Sequence, residues 1–320
     1  MKQLIVNADD FGLTAQVNRG ILDAHREGIV SSSTLMATGE AFESAVAIGR
    51  RSPWLGVGVH LNLTKGIPVS PPSKIPTLVD LRGRLHLTPG RLWKGIVTQQ
   101  VNLFDVETEL RAQITKVLRS GISPTHLDGH KHVHVLPGIS DTVIRVAREF
   151  GLWSVRCPVE SPPAVPRLLR ISRSPAISVI KQYLVGRAVS HFARRFREKL
   201  GEAGLVSPAH FYGLSQTGFL DTESIREILR RVPEGTSELM CHPGYLDADL
   251  VRAGTRLLNG ARGRTSGFDG TSSHEARRGP GDSTCELPGP RRACARERGR
   301  RLKFKDRILE RPGASRLKGF

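Results

Sequence analysis

Aspartates and histidines recur at four places along this chain, far apart in sequence. Asp9 and Asp10 are adjacent. His60 stands in VGVHLNLT. PTHLDGHKHVH, residues 124–134, contains four of the chain's 11 histidines together with Asp128. His242 follows in CHPG. Two imidazoles and a carboxylate with an open coordination position commonly hold a divalent ion. Such an ion makes hydroxide accessible from water near neutral pH. Asp10, His60 and His130 could supply that set, with Asp9 close enough to take the water's proton. Taken singly, each piece has an ordinary explanation: an Asp pair caps or solvates a turn, and a lone His is commonly structural. Asp128 is expected to orient the site or a ligand, and His126 to be structural. On extended chain His132 and His134 would face the same way, as contacts to the substrate or to the ligands.

Strands and helices have to bring these pieces together. Residues 2–8 read as a buried parallel strand ending at the Asp pair. Residues 14–28 read as a helix with Gly28 as its stop. Further strands are expected at 31–36, 56–63, 125–128, 154–159, 210–212 and 238–241. Further helices are expected at 42–50, 91–120, 137–150 and 222–231, and 66–89 reads as an irregular excursion. Alternating strands and helices specify an α/β fold with mainly parallel strands. The Asp and His residues fall at carboxyl ends of strands, where such sheets and barrels place active sites.

The net charge of +18 is concentrated in two segments. Residues 166–200 carry 9 Lys/Arg against 1 Asp/Glu, and residues 260–320 carry 16 against 7. The rest is near neutral, and no nucleic-acid-reading motif accompanies the basic segments. Cys157, Cys241, Cys285 and Cys294 are scattered without CxxC spacing, which gives no thiolate zinc site or disulfide framework. No apolar run approaches the roughly 20 residues of a membrane span. MKQLIVNADD does not read as a signal peptide, so a cytoplasmic location is expected.

VNADDFGLT (6–14), VGVHLNLT (57–64), PTHLDGHKHVHVLP (124–137) and ELMCHPGY (238–245) together resemble the YdjC-like carbohydrate deacetylases, the family that includes chitooligosaccharide deacetylase. The resemblance runs from residue 1 to about 259. HFYGLSQTGFLD (210–221) and the basic segment before it are most similar to the hopanoid-biosynthesis branch. The resemblance implies a distorted (β/α) barrel over residues 1–259 with a basic helical insertion at 166–203. It implies one divalent metal ion on Asp10, His60 and His130, with Asp9 as general base and His242 as general acid. The implied reaction is hydrolysis of the N-acetyl group of an amino sugar, N-acetylglucosamine on a hopanoid lipid or short glycan, with release of acetate. Magnesium is the metal by resemblance, whereas two imidazoles suit zinc or another transition metal better.

The insertion interleaves Ile177, Ile180, Leu184 and Phe192 with arginines, a pattern compatible with peripheral contact at the inner membrane face. From residue 260 the apolar periodicity stops and Arg, Gly and Pro rise. That change reads as a disordered basic tail or a shifted reading frame. Two other function classes share parts of this pattern. A metal-dependent phosphoesterase would use the same ligand types with a second metal, and a non-catalytic basic protein would bind lipid or nucleic acid. The sequence leaves the oligomeric state open.

Overall fold

The computed structural model describes residues 1–163, 165–171 and 175–252. The basic tail at 260–320 lies outside them. Six parallel strands form one curled sheet in the order β4-β3-β2-β1-β6-β5, comprising β1 (Lys2–Phe11), β2 (Ser32–Leu35), β3 (Gly56–Leu61), β4 (Leu127–Gly129), β5 (His210–Tyr212) and β6 (Gly235–Cys241). The edge strands β4 and β5 are linked through residues 154–160: Val155 bridges to Leu127 of β4, and Glu160 bridges to Phe211 of β5. The result is the distorted, mainly parallel barrel expected from the sequence. The segment expected as a strand at 154–159 makes isolated bridges, including one from Ser154 to Val206, and no continuous ladder among the described residues.

Helices cover the outside: α1 (Ala15–Arg26), α2 (Phe42–Arg50), α3 (Pro89–Val97), α4 (Leu103–Arg119), α5 (Ile139–Glu149), α6 (Val165–Ile171), α7 (Ala176–Glu202), α8 (Thr222–Arg231) and α9 (Ala248–Arg252). Local chemistry sets several of their ends. Thr14 caps α1 by accepting from the Val17 N–H, and Asp221 caps α8 by accepting from the Ser224 N–H. The single helix expected at 91–120 is two. Gln99 takes a left-handed conformation, and Asn102 caps a new helix by accepting from Phe104 N–H. An Asn inside an apolar-periodic run is a better cap than a helix interior residue.

The main apolar cluster of the core includes Val6, Ala8 and Phe11 of β1, Val59 of β3, Leu110 and Ile114 of α4, and Phe196 of α7, and a smaller one gathers Phe211, Leu214 and Met240. The basic insertion is integrated into the fold. α7 buries Val179, Gly186, Ser190, Ala193, Phe196 and Leu200, and Gln182 donates to the Leu214 carbonyl. Its outer side leaves Ile177, Ile180 and Leu184 exposed.

Candidate active site

Successive residues of a strand point to opposite faces, so adjacent Asp9 and Asp10 would ordinarily separate. A bulge prevents this. β1 pairs with β2 at Ala8–Ser33 and again at Phe11–Leu35, which leaves one extra residue on β1. Asp10 absorbs it with φ +67. Both aspartates thereby line one cavity of about 1370 Å³ at the carboxyl ends of the strands.

His60 from β3 and His130 from the turn after β4 converge on Asp10. The Asp10 Oδ1 atom lies 3.3 Å from His60 Nε2 and 2.9 Å from His130 Nδ1. Donor atoms of the three residues lie within 4.8 Å of one another. Burial works against charge on Asp10, but His130 and His60 outweigh it and hold the carboxyl well below its ordinary 3.8. Burial also opposes charge on His60. The Asp128 charge and hydrogen bonds to Asp10 and Asp128 override it and raise His60 to about 10. Burial keeps His130 below 6.5 despite Asp10. Two imidazole nitrogens and one carboxylate oxygen on a cavity wall form a donor set that suits a divalent ion.

Asp128 lies behind this set. His60 Nδ1 donates to Asp128 Oδ1 at 2.6 Å, which turns Nε2 toward Asp10. Thr34 donates its hydroxyl to Asp128 Oδ2 at 3.0 Å. A carboxylate bonded to the far nitrogen of a ligating imidazole fixes its tautomer and raises its basicity.

Arg156, fully buried, is the residue that sequence reasoning missed. Its two terminal nitrogens each lie 2.7 Å from an Asp9 oxygen, giving a bidentate pair. One of them also lies 2.7 Å from Asp128 Oδ2, and Nε donates to Glu238 at 2.7 Å. Asn7 adds a donor to Asp9 Oδ1 at 2.9 Å. One guanidinium thus binds the expected base, the carboxylate behind His60, and Glu238 on β6. Burial disfavours charge on Arg156, but the Asp128, Asp9 and Glu238 carboxylates hold it protonated well above its ordinary value. Burial pushes Glu238 up to about 7, against the pull of Arg156 and with the charges of Asp128 and Asp9 adding to it. The available sequence signal was an Arg flanked by apolar Val155 and Cys157.

The histidines of residues 126–134 separate. The chain after β4 is a tight turn, with Lys131 and His132 left-handed at φ 53 and 56, where an extended path was expected. His132 lines the cavity. His134 points into the core, edge-on to Phe196, with its Nε2 3.1 Å from the Arg156 carbonyl oxygen. The two do not face the same way. His126 packs against Gly58, where a Cβ would come within 2.6 Å of its ring. His242, directly after β6, lines the same cavity as Asp9 and Asp10. Its loop is held to α1 by the close approach of Gly20 to Gly244, where a Cβ on Gly20 would meet the Gly244 backbone at 2.6 Å.

A parallel α/β barrel with carboxylates and imidazoles converging at the carboxyl ends of its strands has the placement of an enzyme active site. The family model described as YdjC-like protein matches residues 3–277, and the chain belongs to that family. A carbohydrate deacetylase from Brevibacillus brevis is 35% identical over 78% of this chain and 84% of its own. A chitooligosaccharide deacetylase from Serratia marcescens is 32% identical over 79% and 85%. The crystal structure of a putative cellobiose-phosphate cleavage protein from Enterococcus faecalis V583 matches with a TM-score of 0.57 at 29% identity, covering 78% of this chain and 84% of that one.

Proposed function

We propose that this chain hydrolyses the N-acetyl group of an amino sugar, releasing acetate and the free amine. The observation that carries the reading is the convergence of Asp10, His60 and His130 on one cavity wall, with Asp9 beside them. The names of the curated relatives point to the same chemistry. A divalent ion held by Asp10, His60 and His130 would supply Lewis acidity, activating water and polarising the acetamide carbonyl. Asp9 accepts the proton of the attacking water, its carboxylate fixed by Arg156 and Asn7. Asp128 holds the His60 ring in orientation. His242 protonates the departing amine, a task suited to an imidazole near neutral pH. The C–N bond breaks, the acyl carbon gains the water's oxygen, and the amine gains a proton. Magnesium is the ion by family resemblance, and zinc or another transition metal by ligand softness.

The proposed substrate is N-acetylglucosamine, on a hopanoid lipid or in a short glycan. The lipid-linked form is supported by α7, whose Lys181, Gln182, Val185 and Val189 line the cavity while Ile177, Ile180 and Leu184 are exposed alongside. That helix is the proposed contact with the inner membrane face of a cytoplasmic enzyme. Among the described residues no helix is long and apolar enough to cross a membrane. Co-sedimentation with anionic vesicles tests the contact, and absence of pelleting by the intact chain removes it.

A phosphoesterase would favour a second ion. The second donor group of the site, Asp9, His60 and Asp128, already has Arg156 on both of its carboxylates. The deciding experiment is acetate release from short N-acetylglucosamine compounds, with and without chelator, for the natural chain and Asp9→Asn. Chelator-sensitive release that Asp9→Asn abolishes is the expected result. Release indifferent to chelator removes the metal mechanism.

A further inference from the structure

The proposed reaction assigns no task to His132. This residue is only 8% exposed, and what is exposed lines the cavity of Asp10, His60 and His130. The ring stands edge-on to Phe211, with centroids 6.1 Å apart and planes at 87°, and lies 6.1 Å from the His134 ring. Nδ1 is buried in this packing without a hydrogen-bond partner. The backbone that delivers the ring is left-handed at both Lys131 and His132. Each such non-glycine residue costs about 1 kcal/mol or more. A buried polar atom left unpaired costs about 1–3 kcal/mol. If the ring only filled space, a phenyl group would do so without the second cost. His134 Nδ1 is unpaired in the same way, but of the two rings only His132 lines the cavity, delivered there by strained backbone with Nδ1 walled off, which leaves Nε2 as the nitrogen for a ligand.

Neutral imidazole carries one proton. A buried lone pair is tolerated more readily than a buried unpaired N–H. That places the hydrogen on Nε2, the nitrogen across the ring from the dry one. We infer that His132 donates this Nε2–H to a hydroxyl or acetamide oxygen of the N-acetylated sugar, and so sets the pose of the substrate beside Asp9 and Asp10. His132 is therefore a positioning and specificity residue, distinct from the expected ligands and from His242. This inference rests on the deacetylase reading for the class of substrate.

The test compares His132→Phe, which keeps a ring without a donor, with His132→Gln, whose amide nitrogen can stand where Nε2 stands. Each protein is loaded with metal. Binding of di-N-acetylchitobiose is followed by calorimetry, and acetate release gives kcat and KM separately. The expected result is an affinity and kcat/KM lowered about 10- to 100-fold in His132→Phe, the loss of one hydrogen bond to a buried partner. His132→Gln is expected to recover most of that loss, and metal content and melting temperature to stay at the natural values in both. Sugar affinity in His132→Phe within twofold of the natural chain overturns the inference. Equal losses in both variants, accompanied by a lowered melting temperature, also overturn it and leave a packing role. If the natural chain binds no such sugar, the inference falls together with the deacetylase reading. If it binds the sugar without releasing acetate, only the proposed reaction falls, and the binding comparison still decides the role of His132.

Discussion

Two clusters of charge lie side by side in this barrel and solve the same problem differently. At the cavity wall, Asp10 faces His60 and His130, two groups whose charge depends on a proton or can give way to an ion. Beside it Asp9, which also lines the cavity, and behind it Asp128 and Glu238 face Arg156, whose charge is permanent. Both clusters contain donor groups that could hold a metal ion. Only the first lacks a guanidinium at its carboxylate among the ion pairs described. An arginine satisfies buried carboxylates and fixes their geometry, whereas imidazoles leave a place that an ion can take. His60 connects the two, with Nε2 toward Asp10 and Nδ1 on Asp128.

If the Arg156 cluster is the framework, Arg156→Met has the largest effect. It strips the guanidinium from three buried carboxylates, of which Asp128 keeps His60 as a partner, and breaking one buried pair alone costs about 3–5 kcal/mol. The expected outcome is failure to accumulate folded protein, judged by circular dichroism and thermal melting; a cooperative melt near the natural temperature would refute the framework role. Asp9→Asn separates structure from chemistry. Arg156 keeps Asp128 and Glu238, so the fold should survive while acetate release falls about 10²- to 10⁴-fold, the usual range for a general base. Asp128→Asn cuts the link between the clusters, and metal affinity by competition titration should drop about 10- to 100-fold.

The proton on His60 gives a subtler test. With no ion bound, its pKa of about 10 lies above the ordinary 6.5. Its contribution to stability is therefore fully present below pH 6.5 and is lost as pH rises through about 10. An ion needs the neutral ring, so binding should release about one proton from His60 near pH 8. Calorimetry in buffers of different ionisation enthalpy measures that number, and zero release would break the assignment of His60 as ligand. The smallest effect belongs to Thr34→Val, which removes one donor from Asp128 and should lower stability by about 1 kcal/mol in denaturant titration.

Much of the scaffold was legible because its signals are local. Helices over 42–50 and 222–231 and the strand over 210–212 follow from apolar periodicity and flanking turn residues, and the structure has them at those bounds. The placement of Asp10, His60 and His130 at strand ends was legible for the same reason. The turn at Lys131 and His132 was not, because two consecutive left-handed residues without a glycine are rare, and the modest tolerance of His for that region gives no signal at Lys131. Packing at the cavity wall imposes it. The split of residues 91–120 into two helices had a visible cue in Asn102, outweighed by the apolar residues on either side.

By itself, the sequence determined that strands and helices alternate and that carboxylates and imidazoles lie at the strand ends. Those properties depend on neighbouring residues and on the two- and 3.6-residue periods of the elements. Only the tertiary structure decided that Asp9 and Asp10 share a face, because a bulge is defined by pairing with β2. Only the tertiary structure separated His132 from His134. It alone gave Arg156 its role, since a lone arginine in an apolar stretch gains meaning from three carboxylates on different strands, 28 to 147 residues away in the sequence. Electrostatic pairing at this depth acts through space, and no periodicity along the chain encodes it.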